Sequence, residues 1–261
     1  EAIKSRRTYA LTGDKIKLAF SINDGIIGDV LPPAKKRHII CEIQGGGAID
    51  YVDVLHNNQI IHRSSSYPKV LSAQGNPLSG TYKIHIEMGW GEKGVNVDWQ
   101  AELEVVKGKL VDVEPRFRGH DVVAPQGSDE ESYAFSQWVW EGKNDLAFST
   151  RTWGNPTTTT NATQGIALDV RGDEETYLKG QFNGVDFRVS LSELIAGPKS
   201  FYLGSFLTPA FYFHRAVSEL ETNLEIKFTH QSNSHIRDWY YVRVRQHNGQ
   251  MAWSSPIWVE S

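Results

Sequence analysis

Apolar and polar residues alternate with a period of two along most of this chain, the pattern of strands with one buried face. Ile16, Leu18, Phe20 and Ile22 alternate with Lys17, Ala19 and Ser21, and Asn23-Asp24-Gly25 then turns the chain. Ile39, Cys41 and Ile43 repeat the pattern up to Gly45-Gly46-Gly47. Tyr51–Leu55 and Gln59–Arg63 flank His56-Asn57-Asn58 and predict a hairpin. Ile84, Ile86 and Met88 alternate again, and Trp99, Ala101, Leu103 and Val105 form a strand that turns at Lys107-Gly108. Further strands are predicted at Ser136–Trp140, Leu146–Thr152, Ile166–Val170, Tyr177–Phe182, Val185–Ser190, Phe201–Leu207, Ala210–Arg215 and Leu224–His230. Helical periodicity is nearly absent: Leu191–Ile195 reads as one helical turn, and residues 1–10 as the last turns of a helix entering a β region.

The C-terminal stretch Trp239–Val259 carries the strongest local signal. Tyr240, Val242 and Val244 alternate with Tyr241, Arg243 and Arg245, and Asn248-Gly249 predicts a two-residue type I′ turn. Pro256 cannot donate a ladder hydrogen bond, so it predicts an edge position or a bulge. Strand after strand at short spacing predicts an all-β chain of sandwich type.

Composition narrows the function classes. A chain of 261 residues has room for one large β domain or two smaller ones. A net charge of −4 gives no reason to expect nucleic acid as a partner. No apolar run approaches the roughly 18 residues of a membrane span. With one cysteine, Cys41, no internal disulfide forms and no Cys/His zinc cluster is possible. The compartment stays open between cytoplasm and export.

Two segments together resemble a known family. The first is Arg6-Arg7-Thr8-Tyr9-Ala10-Leu11-Thr12-Gly13-Asp14-Lys15-Ile16; the second pairs Tyr240-Tyr241-Val242-Arg243-Val244 with Ala252-Trp253-Ser254-Ser255-Pro256-Ile257-Trp258. They resemble uncharacterised bacterial proteins related to the PHP-type metal-dependent phosphoesterases. In that family the first motif closes a catalytic α/β barrel and the second closes a β-sandwich appended to it. The hairpin from Tyr51 to His62, and Gly89-Trp90-Gly91-Glu92 with Trp99 and Val113-Glu114-Pro115, resemble further features of its longer members.

The resemblance implies that residues 1–12 are the tail of an upstream barrel, with Arg6, Arg7, Thr8 and Tyr9 at the junction. It implies a divalent metal in that barrel, none in this chain, and the upstream catalytic domain of the same polypeptide as partner. More than half the chain separates the Tyr51–His62 hairpin from the closing strand. The expected organisation is therefore two β-sandwich domains, the second (97–222) inserted into the first (13–96 plus 223–261), after a short N-terminal helical remnant. The expected function is that of a non-catalytic accessory region, packing against the barrel or recruiting substrate or partner.

Rival readings rest on particular residues. Trp138 and Trp140 on one strand, and Trp153 beside Gly154-Asn155-Pro156, suit stacking on sugar rings, as in a carbohydrate-binding module, but alternate spacing suits core packing better. His120-Asp121, flanked by Arg116, Arg118 and Gly119, is the best single candidate for ligating metal or phosphate, against a bland reading as a solvated loop pair. Asp98, Glu102 and Glu104 line the polar side of one strand. Paired carboxylates of this kind serve sandwich-fold glycoside hydrolases or lyases, and more often they are solubilising charge. No catalytic residue is assigned.

Overall fold

The computed structural model describes residues 1–66, 79–117, 136–153, 163–232 and 237–260. His120 and Asp121 lie outside the described residues. Strand accounts for about 62 % of the chain and helix for about 5 %, so the protein is all-β, built as sandwiches. It divides into two compact units, Glu1–Asn76 with Ser218–Ser261, and Pro77–Val217.

The chain first runs through β1 (Tyr9–Leu11), β2 (Lys17–Ile22), β3 (Gly25–Ile26), β4 (Val30–Leu31), β5 (Lys36–Gln44), β6 (Ile49–His56) and β7 (Gln59–Ser64). The second unit follows with β8 (Gly80–Trp90), β9 (Val97–Val106), β10 (Lys109–Pro115), β11 (Gln137–Val139), β12 (Asp145–Thr152) and β13 (Gln164–Gly172). It continues with β14 (Tyr177–Phe182), β15 (Val185–Ser190), helix α1 (Leu191–Ala196), β16 (Lys199–Tyr202), β17 (Pro209–Phe213) and β18 (Val217–Ser218). The chain then completes the first unit with helix α2 (Glu219–Thr222), β19 (Asn223–Gln231), β20 (Arg237–Gln246), β21 (Met251–Ser254) and β22 (Ile257–Glu260).

In the first unit β20 is the axis of a seven-stranded sheet. One edge of β20 pairs with β6, and β6 with β7. The other edge pairs with β21 and then β22, which carry β1 and β4 in turn. The closing hairpin thus pairs inside the first unit. The opposing sheet runs β19-β5-β2-β3. Ile16, Leu18, Phe20, Ile22, Ile39, Cys41 and Ile43 face Val52, Val54, Tyr240, Val242 and Val244 across one core. Burying such side chains is worth about 1.5–3 kcal/mol each, which holds the two sheets together.

Pro256 sits where the ladder slips. Arg243 pairs with Trp253, but Tyr240 pairs with Ile257, so one extra residue enters between β21 and β22. Ser254 Oγ takes the Val242 N–H at 2.9 Å and keeps that donor satisfied at the bulge. The predicted type I′ turn at Asn248-Gly249 is corrected. Only Gly249 has positive φ, at 83°, and Gln246 and Gln250 close a three-residue loop through a 2.9 Å hydrogen bond. Asn248 is held out of the left-handed region while its side chain donates to Asp14 Oδ2 at 2.8 Å and accepts from Gln250 N at 3.2 Å. The type I′ geometry appears at Asn57-Asn58 instead, with φ of 49° and 66°.

In the second unit a six-stranded sheet, β10-β13-β8-β17-β16 with β18 on β8, packs on a five-stranded sheet, β11-β12-β9-β14-β15. The core between them is aromatic: Phe182 stacks on Phe211 at 4.3 Å, and buried Trp99 donates its indole N–H to Thr152 Oγ1 at 2.9 Å. The inserted unit begins at Pro77 rather than residue 97, because β8 pairs from Gly80 to Met88 with β13 and from Ile86 to Trp90 with β17. It ends at Val217 rather than residue 222.

Candidate functional site

Residues 1–7 form a single helical turn that ends in a Schellman cap. Ser5 N bonds Glu1 O, Arg6 N bonds Ile3 O and Arg7 N bonds Ala2 O, with Arg6 in the left-handed region at φ 57°. The turn is clamped to the first sandwich. Arg6 Nε donates to Gly28 O at 3.0 Å, and Arg7 Nη2 lies 3.3 Å from Asp29 Oδ1. The Arg6 guanidinium sits 5.5 Å above the Trp258 ring. Gly28 makes the close approach possible: its φ is 89°, and a Cβ there would lie 2.4 Å from Ser5 O. Thr8 Oγ1 is 3.3 Å from Ser255 Oγ, and Tyr9, 40 % exposed, opens β1 opposite Ser254. Arg6, Arg7, Thr8 and Tyr9 are thus all tied to the first sandwich.

The tryptophans divide. Trp138 pairs across strands with inward-facing Phe148 and lies 6.2 Å from Phe117, yet is 47 % exposed and lines a groove of about 310 Å³ with Gln100, Gln181 and Asn183. Trp140 lies beyond the end of β11, donates its indole N–H to Lys143 O at 2.8 Å and packs on the core. Trp153 is half-buried. A groove of about 670 Å³ crosses the outer face of the five-stranded sheet, lined by Glu102, Glu104, Ala147, Lys179, Gln181 and Val139 among others. Its outward-facing side chains are charged, amide and small aliphatic; no tryptophan lines it. Asp98 meets Arg151 at 2.6 Å and Glu104 meets Lys179 at 2.9 Å, so two of the three strand carboxylates are paired with cations.

A polar cluster lies buried in the first unit. Arg37 Nη2 is 2.6 Å from Asp238 Oδ2, and both side chains are fully buried. Arg37 also donates to the Tyr240 hydroxyl, which lies 2.9 Å from His230 Nδ1. Asp238 Oδ1 accepts from Asn57 Nδ2 at 2.9 Å and lies 3.0 Å from His56 Nε2. His56 stacks on Tyr240 at 4.6 Å. Burial raises the Asp238 carboxyl, but Asn57, His56 and Arg37 outweigh it and hold it at about 2. Burial, then the neighbouring His56 and Arg37, lowers His230. The charges of this cluster are matched internally. Sequence reading missed it, although the signal exists: Arg37 and Asp238 occupy the inward parity of Ile39 and Tyr240.

The outer face of the six-stranded sheet carries a different arrangement. By alternation from Ile84, Ile86 and Met88, Trp90 should point inward. Instead Gly89, Trp90 and Gly91 all have positive φ, at 147°, 62° and 86°. The reversal leaves Trp90 45 % exposed, with its ring 6.5 Å from Tyr212 at 70°. Tyr212 pairs across strands with outward-facing Glu87. Its ring lies 4.6 Å edge-on to His214, which stacks on His85 at 4.7 Å. Glu87 Oε2 is 3.0 Å from His214 Nε2, and Glu87 Oε1 accepts from Thr163 Oγ1 at 2.6 Å. Burial raises Glu87, and its bonds to His214 and Thr163 with the nearby His214 and His85 override this, holding it at about 2. Tyr202, 63 % exposed, stands beside the same face opposite Ala210. The sequence signal for this site was an aromatic set between two glycines at the end of an alternating strand.

Among the described residues, no group of three or more His, Cys, Asp or Glu is placed to hold a metal ion, and no helix is long and apolar enough to cross a membrane. Fold and faces define a class: an all-β protein in which one compact unit is inserted in another, with ionised side chains matched inside and an aromatic face outside. No protein-family model and no curated protein matches the chain.

Proposed function

We propose that this chain is a non-catalytic accessory β region of a bacterial PHP-phosphoesterase-like protein, which packs against the catalytic barrel and presents surfaces to its substrate. The observation that carries the reading is the joint at Arg6–Tyr9. A helical turn capped at Arg6, wedged on Gly28 and tied to Asp29 and Trp258 has a fixed direction relative to the first sandwich. An accessory domain needs such a fixed joint to hold a barrel in one orientation. In this reading the divalent metal belongs to the barrel.

The test compares the longer polypeptide that carries this chain with the isolated chain, using p-nitrophenyl phosphate and added manganese or zinc. Metal-dependent hydrolysis by the longer protein and none by the isolated chain is expected. Turnover by the isolated chain, or a gene with no His/Asp-rich barrel upstream of Glu1, refutes the reading.

A further inference from the structure

The strain at Gly89-Trp90-Gly91 needs an explanation. Left-handed backbone at a residue as bulky as Trp costs on the order of 1–3 kcal/mol and persists where the surroundings enforce it, often at ligand sites. Here it turns a large aromatic from the core side of β8 to solvent, where exposure of an indole face has no folding benefit. What the turned ring joins is a continuous row: Trp90, Tyr212, His214, His85. Glu87 is bonded to the third ring of that row and to Thr163. Across the sheet Tyr202 pairs with Ala210 and Ala210 with Gly89, while Trp90 itself pairs with Pro209.

We propose that this face binds a saccharide, with Trp90 and Tyr212 taking the C–H faces of sugar rings and the Glu87–His214 pair taking hydroxyl groups. Three properties of the face select that ligand class. A sugar ring has an apolar face and a polar edge, and the row offers aromatic rings beside a carboxylate, an imidazole and a phenol at one ring's spacing. A cationic ligand would have only the ring faces to use, because both Glu87 oxygens already have partners, His214 and Thr163. A purely apolar partner would leave those polar groups desolvated, at a cost of about 1–3 kcal/mol each.

The mechanism is binding alone, with no bond made or broken. Glu87 stays ionised across the physiological range and accepts from sugar hydroxyls, while His214, 40 % exposed, is reachable from solvent. Trp90 and His85 lie on β8 and Tyr212 on β17, and His214, one residue past β17, is tied to β8 by its N–H to His85 O at 2.9 Å, so the sheet sets the spacing of the row. That pre-organisation lowers the ordering cost of binding.

The inference does not depend on the barrel reading; loss of either leaves the other standing. The test is affinity gel electrophoresis of the full chain in gels containing hydroxyethylcellulose, xylan, glucomannan or pectin. At least one polysaccharide is expected to retard the protein. Trp90→Ala and Tyr212→Ala should each weaken retardation about tenfold or more, the loss of one stacking ring. Trp90→Phe should keep part of it, Glu87→Gln should weaken it several-fold, and Trp138→Ala should behave as wild type. Hydrogen exchange across β8 and β17 in each variant separates lost binding from lost folding. Retardation by none of the four polysaccharides overturns the proposal. So does retardation that survives Trp90→Ala in a folded variant, or retardation lost in Trp138→Ala. Displacement by tetramethylammonium chloride but not by potassium chloride would assign the face to cations instead and overturn it too.

Discussion

Asp238→Asn should be among the most damaging conservative substitutions in the first unit. The change preserves shape and removes one charge. It leaves the Arg37 guanidinium, fully buried, without its counter-ion at 2.6 Å. The new amide also places a donor where Asn57 Nδ2, Arg37 and His56 already point donors at Asp238. Breaking one partner of a buried ion pair typically costs about 3–5 kcal/mol, and that range applies here because no solvent reaches either side chain. Replacing both partners, Arg37→Met with Asp238→Leu, removes the buried charges and should cost less than the sum of the single variants, while Asn57, His56 and Tyr240, having lost those partners, keep it below wild type. The same pair predicts an acid limb. The Asp238 carboxyl is held at about 2, against an ordinary value of 3.8. A depressed carboxylate contributes stability that is present above pH ~4 and lost as pH falls through ~2, about 2 kcal/mol in all. Two compact units need not unfold together, so the assay should read one of them. Hydrogen exchange of peptides covering β5 and β20 at increasing urea does this. A cost below about 1 kcal/mol for Asp238→Asn, or a double variant as weak as the sum of the singles, refutes the reasoning.

Gly28→Ala should cost about 1–3 kcal/mol of local stability, since φ is 89° and a Cβ would press on Ser5 O. Faster exchange and proteolysis of residues 1–7 is expected, and unchanged protection would remove the clamp from the account. Cys41 is fully buried, with burial as the main cause that pushes its thiol up to about 12. It should resist a disulfide-exchange reagent at pH 8 until the first unit unfolds, and rapid labelling of folded protein would contradict its place in the core.

How much of this was legible depended on whether the determinant was local. Ile16, Leu18, Phe20 and Ile22 gave β2 away because a strand between one core and solvent must alternate, and all four are buried. Asn183-Gly184 turns β14 into β15 with φ of 47° and 80°, and the Asn183 side chain is also held from outside the hairpin, accepting from Gln100 N at 2.7 Å and donating to Asp98 O at 2.8 Å. Asn248-Gly249 carries the same dipeptide and makes a different turn, its Asn248 side chain bonded to Asp14, more than two hundred residues away, and to Gln250 N within the loop. The boundary at Pro77 was invisible for a related reason. Alternation says that β8 has a buried face, and nothing in it says which sheet receives that face; β13 and β17 decide it.

The two clusters that matter most both break parity, and they break it in opposite senses. Arg37 and Asp238 are charged residues at inward positions, so each could exist only with a partner, and each supplies the other across β5 and β20. Parity alone would have flagged them, though not paired them. Trp90 is an apolar residue at an inward position that ends outside. There parity gives the wrong answer, because three consecutive residues with positive φ undo the period on which it rests. A polar residue placed inside is an obligation met by folding, and its cost is repaid within the sandwich. An aromatic turned outside against its backbone preference recovers less: Trp90 keeps an edge contact with Tyr212 and stays 45 % exposed. The ring left part-exposed beside Tyr212, Glu87 and His214 is why the Trp90 face, and not the better-paired Arg37 cluster, carries the proposal of a ligand.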